Sequence, residues 1–262
     1  MGTVACGTRA PWHRAAGHQV NESAAVGMPR DGRGRIIVAL DVPDMKAAEA
    51  FMDNLQGQPI WYKVGLELFI AEGARAVEAV KRRGGRVFLD LKLHDIPETV
   101  ARAVASVRRM GVELLTIHAA GGTDMVARAV EAAAGQVRIL GVTVLTSAGP
   151  DDLQADGIEG TVAQAVTRRA RLVVAAGGAG LVCSSHEVAA ARSLASDLLL
   201  VVPGIRPTGA ALGDQKRVAT PADAIVAGAD FLVVGRPLRD AAQPAQAFAE
   251  LAAEIDGALR TT

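Results

Sequence analysis

The stretch VFLDLKLHDIPETV, residues 87–100, starts as an apolar strand and then sets Asp90, Lys92 and Asp95 where a core strand would carry apolar side chains. Side chains alternate along a strand, so Phe88, Asp90 and Lys92 share one face while Leu89, Leu91 and Leu93 share the other. The leucine face suits a covering layer of helices; the opposite face must open onto something that tolerates charge. Similar apolar runs recur on both sides: RIIVALDV (35–42), IWYKVGL (60–66), LLTIHA (114–119), RILGVTVLT (138–146), GLVCSS (180–185), LLLVVPGI (198–205) and FLVVGRPL (231–238). With VFLDLKL (87–93) they make eight candidate strands.

Between the strands lie Ala-rich stretches of helical period, such as DMKAAEAFMDNL (44–55), AEGARAVEAVKRRG (71–84), IPETVARAVASVRRMG (96–111) and GTDMVARAVEAAAG (122–135). Strands this uniformly apolar belong in a parallel sheet covered by helices. Eight βα units therefore predict an α/β (β/α)8 TIM barrel over residues 35–262, with its active site at the C-terminal strand ends. A doubly wound open sheet is the alternative, but no GxGxxG follows the first strand.

The barrel reading gives the charges a place. Asp41 ends the first strand, Lys63 lies late on the second, Asp90 and Lys92 late on the third, His118 ends the fourth and Thr146 closes the fifth, so all converge on one mouth. Buried ion pairs are poor sources of stability, because desolvation offsets attraction, and charges at strand ends therefore point to function. His118 alone reads as a packed, hydrogen-bonded residue rather than a catalytic one. A second constellation follows the seventh and eighth strands: PGIRPTGAALGDQKR (203–217) carries Arg206, Gln215 and Arg217, and VVGRPL (233–238) carries Gly235 and Arg236. Barrels commonly bind phosphate there, glycine allowing close backbone approach and arginine offering a planar fork of donors.

Composition narrows the function classes. Half of the 262 residues are hydrophobic and 21% charged, enough for one large core. Lys plus Arg equals Asp plus Glu at 28 each, so no global field attracts nucleic acid or a membrane surface, and anion recognition must be local. The two cysteines, Cys6 and Cys183, form no disulfide framework or CxxC spacing, which fits a reducing, cytoplasmic compartment and excludes structural zinc. Residues 1–34 lack a sustained apolar period and read as a disordered N-terminal extension without a secretory h-region; Met28 is an alternative start, and Cys6 stands where a myristoylation signal has Ser or Thr.

At these residues the chain resembles the orotidine 5'-phosphate decarboxylase family. The resemblance runs from IIVALD (36–41) to VVGRP (233–237) and includes DxKxxDIPxT at Asp90–Thr99, KVG at Lys63, VTVLTS (142–147), PGIRP (203–207) and GDQKR (213–217). It implies a homodimer of barrels that converts orotidine monophosphate to uridine monophosphate and carbon dioxide with no metal and no organic cofactor. Carried over by position, it makes Lys92 the acid that protonates C6 of the pyrimidine, puts Asp90 beside the departing carboxylate and sends Asp95 into the neighbouring subunit's site. Lys63 and Asp41 would contact the ribose, Thr99 would do so across the interface, and Thr146 would meet the pyrimidine. Arg206, Gln215, Gly235 and Arg236 would surround the phosphate. A related barrel decarboxylase acting on a sugar phosphate, such as 3-keto-gulonate 6-phosphate, also has DxKxxD but uses magnesium, with an acidic ligand where this chain has Lys63. A noncatalytic phosphate-binding barrel would need the arginine loop but not the ordered Asp, Lys, Asp array.

Overall fold

The computed structural model describes residues 29–206 and 219–261. In chain order its first half comprises α1 (Gly32–Arg35), β1 (Ile36–Ala39), α2 (Met45–Asn54), β2 (Trp61–Gly65), α3 (Leu66–Glu72), α4 (Ala74–Arg82), β3 (Arg86–Leu93), α5 (Pro97–Met110), β4 (Leu114–His118), α6 (Gly122–Ala133) and β5 (Arg138–Val142). Its second half comprises α7 (Pro150–Ala155), α8 (Val162–Ala175), β6 (Gly180–Val182), α9 (Val188–Arg192), β7 (Leu199–Val202), α10 (Pro221–Val226), β8 (Phe231–Val234), α11 (Arg236–Arg239) and α12 (Pro244–Leu259). The eight strands pair in parallel in sequence order, and β8 closes on β1 as the TIM barrel expectation requires.

Strand alternation divides the core in two. Ile36, Val38, Leu40, Val64 and Leu89 face outward into the helices, where Phe51, Val77, Val104, Val173 and Phe248 cover them. Ile37, Trp61, Phe88, Leu114, Leu140, Leu199, Val201 and Phe231 face inward and fill the barrel. The register sets Ile37 opposite Trp61, Phe88 opposite Leu114 and Val201 opposite Phe231, so inward side chains of neighbouring strands pack against one another inside the barrel. Trp61 and Phe231 meet edge to face at 5.3 Å, and Arg86 lies over the Trp61 ring. The interior is thus packed at its N-terminal end, and polar groups are left to the other mouth.

Three expectations need correction. The strands are shorter than the apolar runs: β5 ends at Val142 rather than 146 and β7 at Val202 rather than 205, because the backbone leaves the ladder where it builds the mouth. The stretch 71–84 is not one helix, since Gly73, at φ 59° and ψ −139°, breaks it into α3 and α4, a conformation that glycine adopts without steric penalty. Of the stretch 1–34 expected to be disordered, residues 31–34 are ordered: Asp31 caps α1 by accepting from the Gly34 amide at 2.8 Å, and the Gly32 amide donates to Asp256 of α12 at 2.7 Å. Arg33 also donates to the carbonyls of Gly57 and Gln58. Residues 1–28 of the expected extension lie outside the described residues.

A chain beginning at Met28 keeps α1 and is expected to unfold at the temperature of the full chain. One beginning at Ile36 loses the Asp31 cap and the bond to Asp256. With about 1 kcal/mol for a cap and about 2–4 °C per kcal/mol in a domain of this size, its Tm should fall by a few degrees. Equal melting temperatures for the two chains would show that α1 contributes nothing to the barrel.

Candidate active site

Four charged side chains from three neighbouring strands meet at the C-terminal mouth. Lys63 of β2 donates from Nζ to Asp41 Oδ1 at 2.7 Å and lies 3.7 Å from Asp90 Oδ2 on β3. Lys92 Nζ donates to the same Asp90 oxygen at 2.8 Å. The result is an alternating row, Asp41, Lys63, Asp90, Lys92, whose middle is buried, with Lys63 8% and Asp90 9% exposed. Burial pushes the Asp90 carboxyl up, but Lys63, Lys92 and the hydrogen bonds from Lys92 and Thr116 outweigh it and hold the group below the usual carboxylate range. Gly65 makes room for the row: a Cβ there would come within 2.9 Å of Lys63 Nζ and 3.0 Å of Asp41 Oδ1.

Lys92 reaches the mouth by a different route from simple alternation. Leu89 pairs with Leu115 of β4 and Leu93 with Ile117, so the β3 backbone gains two residues against its neighbour between those points. Lys92 takes up the slack at φ 50°, a left-handed conformation unusual for a residue with a side chain. Its amide donates to Thr116 Oγ1 at 2.8 Å, and the Thr116 hydroxyl donates to Asp90 Oδ1 at 2.9 Å. Thr116 is wholly buried and was not among the residues singled out from the sequence. Period-2 reading of β4 groups Leu114, Thr116 and His118 on one face, which is the signal that would have found it.

The mouth opens into a cavity of about 460 Å³ walled by Asp41, Lys63, Phe88, Asp90, Lys92, Thr146, Cys183, Arg206, Gly235, Arg236 and Arg239, among others. The row of charges forms one wall. Arg206, Gly235 and Arg236 line the same cavity from the segments after β7 and β8, and Arg239 joins them one helical turn beyond Arg236. Arg239 also donates to the Asp41 carbonyl at 2.9 Å, tying the two sides together. Cys183 is a buried wall residue, braced from behind by Glu187, which accepts from the Ser184 amide at 2.7 Å. Gln215 and Arg217 lie outside the described residues. Asp95 and Thr99 are exposed and do not line this chain's cavity; Asp95 Oδ1 accepts from the Ile96 amide at 2.7 Å. His118 also lies off the cavity wall, 5.4 Å from the His94 ring, and burial with the neighbouring charges of His94, Lys92 and Arg169 lowers its pKa.

A parallel barrel whose mouth carries an alternating carboxylate and ammonium row beside arginine-bearing loops has the construction of a barrel enzyme for phosphorylated substrates. The model of the Orotidine 5'-phosphate decarboxylase / HUMPS family matches residues 34–251, and the chain belongs to that family. It is 57% identical over 222 residues to the orotidine 5'-phosphate decarboxylase of Anaeromyxobacter sp. (strain K), covering 84% of this chain and 98% of the relative. It is 46% identical over 236 residues to the enzyme of that name from Trichlorobacter lovleyi, covering 87% of this chain and 98% of the relative. Among solved structures, the crystal structure of orotidine 5'-phosphate decarboxylase from Lactobacillus acidophilus matches with a TM-score of 0.76 at 31% identity, covering 84% of this chain and 98% of that one. Among the described residues no helix is long and apolar enough to cross a membrane.

The depressed pKa of Asp90 has a measurable consequence. A carboxylate held below its unfolded value stabilises the fold above about pH 3.9 and loses that contribution as pH falls through the folded value. The stability gap between the unaltered chain and Asp90→Asn, read from urea unfolding between about pH 7 and about pH 3, should be widest near neutrality and narrow in acid. A gap of constant size would show that Asp90 titrates alike in the folded and unfolded chain, and one that widens in acid would show that it is protonated in the folded protein.

Proposed function

We propose that this chain converts orotidine 5'-monophosphate to uridine 5'-monophosphate and carbon dioxide, a step of pyrimidine biosynthesis, as a cytoplasmic homodimer using neither metal nor organic cofactor. The observation that carries the reading is the row Asp41, Lys63, Asp90, Lys92, with successive contacts of 2.7, 3.7 and 2.8 Å, in a cavity that also holds Arg206 and Arg236. The names of the relatives support the substrate and the reaction.

The chemistry asks for such a row. When the C6–carboxylate bond breaks, its electron pair remains in the ring plane, where the adjacent π system cannot delocalise it. At about 3.5 Å and an effective dielectric near 20, one ammonium stabilises such a charge by about 5 kcal/mol. Lys92 favours the developing carbanion, then transfers a proton to C6, and its neutral amine regains one from solvent. Asp90 orients that ammonium, and its repulsion of the substrate carboxylate falls as neutral carbon dioxide departs. Asp41 and Lys63 would bind the ribose and Thr146 the pyrimidine. Arg206, Gln215, Gly235 and Arg236 would hold the phosphate, whose binding energy can drive loop closure and exclude water. Lys63 argues against the magnesium-dependent alternative, since its ammonium sits where that chemistry wants an acidic ligand.

Asp95 and Thr99 would complete the site of a partner subunit. Their exposure in the isolated chain suits that role, as does the exposure of Leu66, Ile70 and Ile96, which follow the adjacent strands β2 and β3.

Lys92→Ala should nearly abolish turnover while a phosphorylated product analogue still binds; near-normal turnover would remove Lys92 from its role. Lys92→Ala and Asp95→Ala chains, each inactive alone, should recover activity when mixed and allowed to exchange subunits. Random pairing gives roughly a quarter of all sites both residues. With both variants shown to fold and exchange, no recovery would place Asp95 in its own chain's site or outside the array.

A further inference from the structure

We infer that Thr116 is the positioning residue for Lys92: its hydroxyl, anchored on Asp90, holds the Lys92 backbone in the left-handed conformation from which the ammonium reaches the reacting carbon. The inference rests on the reaction proposed above and adds to it a residue that touches neither substrate nor solvent.

Directionality fixes the arrangement. An amide can only donate and an ionised carboxylate can only accept, so the hydroxyl between them accepts from Lys92 N at 2.8 Å and gives its single proton to Asp90 Oδ1 at 2.9 Å. The hydroxyl thus spends its one proton on Asp90 and accepts from Lys92 where the side chain has no exposed surface. β3 slips against β4 between Leu89 and Leu93, and at that slip the Lys92 amide takes the Thr116 hydroxyl as acceptor. Without the hydroxyl, that amide would lose this bond just where φ is 50°.

The same hydroxyl orients the carboxylate. Asp90 Oδ1 is committed to Thr116, which leaves Oδ2 to receive Lys92 Nζ at 2.8 Å and to face Lys63 Nζ at 3.7 Å. One side chain on β4 therefore fixes Lys92 twice, through its backbone and through the counter-ion that aims its ammonium. A serine in its place keeps the donor and acceptor; a valine keeps the shape and loses both.

The test separates positioning from packing. Turnover of orotidine monophosphate by the unaltered chain is measured first. Thr116→Val should then lower kcat by on the order of 10- to 100-fold, the loss expected for a hydrogen bond to a charged group, with KM changed less than about twofold because the phosphate contacts lie elsewhere. Thr116→Ser should restore kcat to within a few-fold of the unaltered chain. A packing role would lower kcat and raise KM together with no recovery by serine, and that result, or an unchanged kcat in Thr116→Val, would overturn the inference. If Thr116→Val does not fold, Thr116→Ala is read on the same two constants. If the unaltered chain shows no turnover, the proposed reaction falls, and the inference is read from a crystal structure of Thr116→Val: Lys92 leaving the positive-φ region supports it, and φ remaining near 50° overturns it.

Discussion

A single buried carboxylate organises the mouth of this barrel. Asp90 Oδ2 lies 2.8 Å from Lys92 Nζ and 3.7 Å from Lys63 Nζ, and its other oxygen accepts from Thr116. Desolvating one carboxylate and an ammonium is a poor route to stability, since replacing a buried pair with apolar groups is often neutral or favourable. The barrel nevertheless makes the arrangement possible, because parallel strands end together and bring side chains from β1, β2, β3 and β4 to one level. The packed interior below, with Trp61, Phe88, Leu114 and Phe231, forms an apolar floor that strengthens every charge interaction above it.

Much of this was legible in the sequence, for reasons that can be located. Eight apolar runs separated by helical periods specify a closed parallel sheet because each strand is buried on both faces. Charges on such strands have few places to go, so the sequence alone assigns Asp41, Lys63, Asp90 and Lys92 to one mouth. The route taken by Lys92 could not: alternation gives the right face, but the slip between β3 and β4 is a property of two strands together, invisible in either alone. Thr116 was missed for a related reason, since a threonine inside LLTIHA looks like an ordinary strand former until its partner across the ladder is known. Periodicity likewise reads through Gly73, because one glycine does not interrupt the apolar spacing of 71–84 even though it turns the backbone. The end of the N-terminal extension was misread because α1, only Gly32–Arg35, is too short to show a period and is held by Asp31 and by Asp256, far along the chain.

The division of labour across the cavity follows from the same architecture. Ammonium and carboxylate groups come from β1 to β3, while Arg206, Gly235, Arg236 and Arg239 come from the segments after β7 and β8, next to β1 in the closed barrel. In the proposed reaction the phosphate binds at one side and the carboxylate leaves at the other, so binding energy gathered away from C6 can be spent on closing the site. Arg239, bonded to the Asp41 carbonyl, links the two halves through the backbone.

The central claim is that this mouth, completed by a second copy of the chain and with neither metal nor organic cofactor, decarboxylates orotidine monophosphate. The most direct measurement is the loss of that substrate's ultraviolet absorbance on adding the purified chain, followed with and without a strong chelator. The account predicts complete conversion to uridine monophosphate at a rate the chelator does not change. No conversion, or a rate that falls with chelator and returns with magnesium, would contradict it.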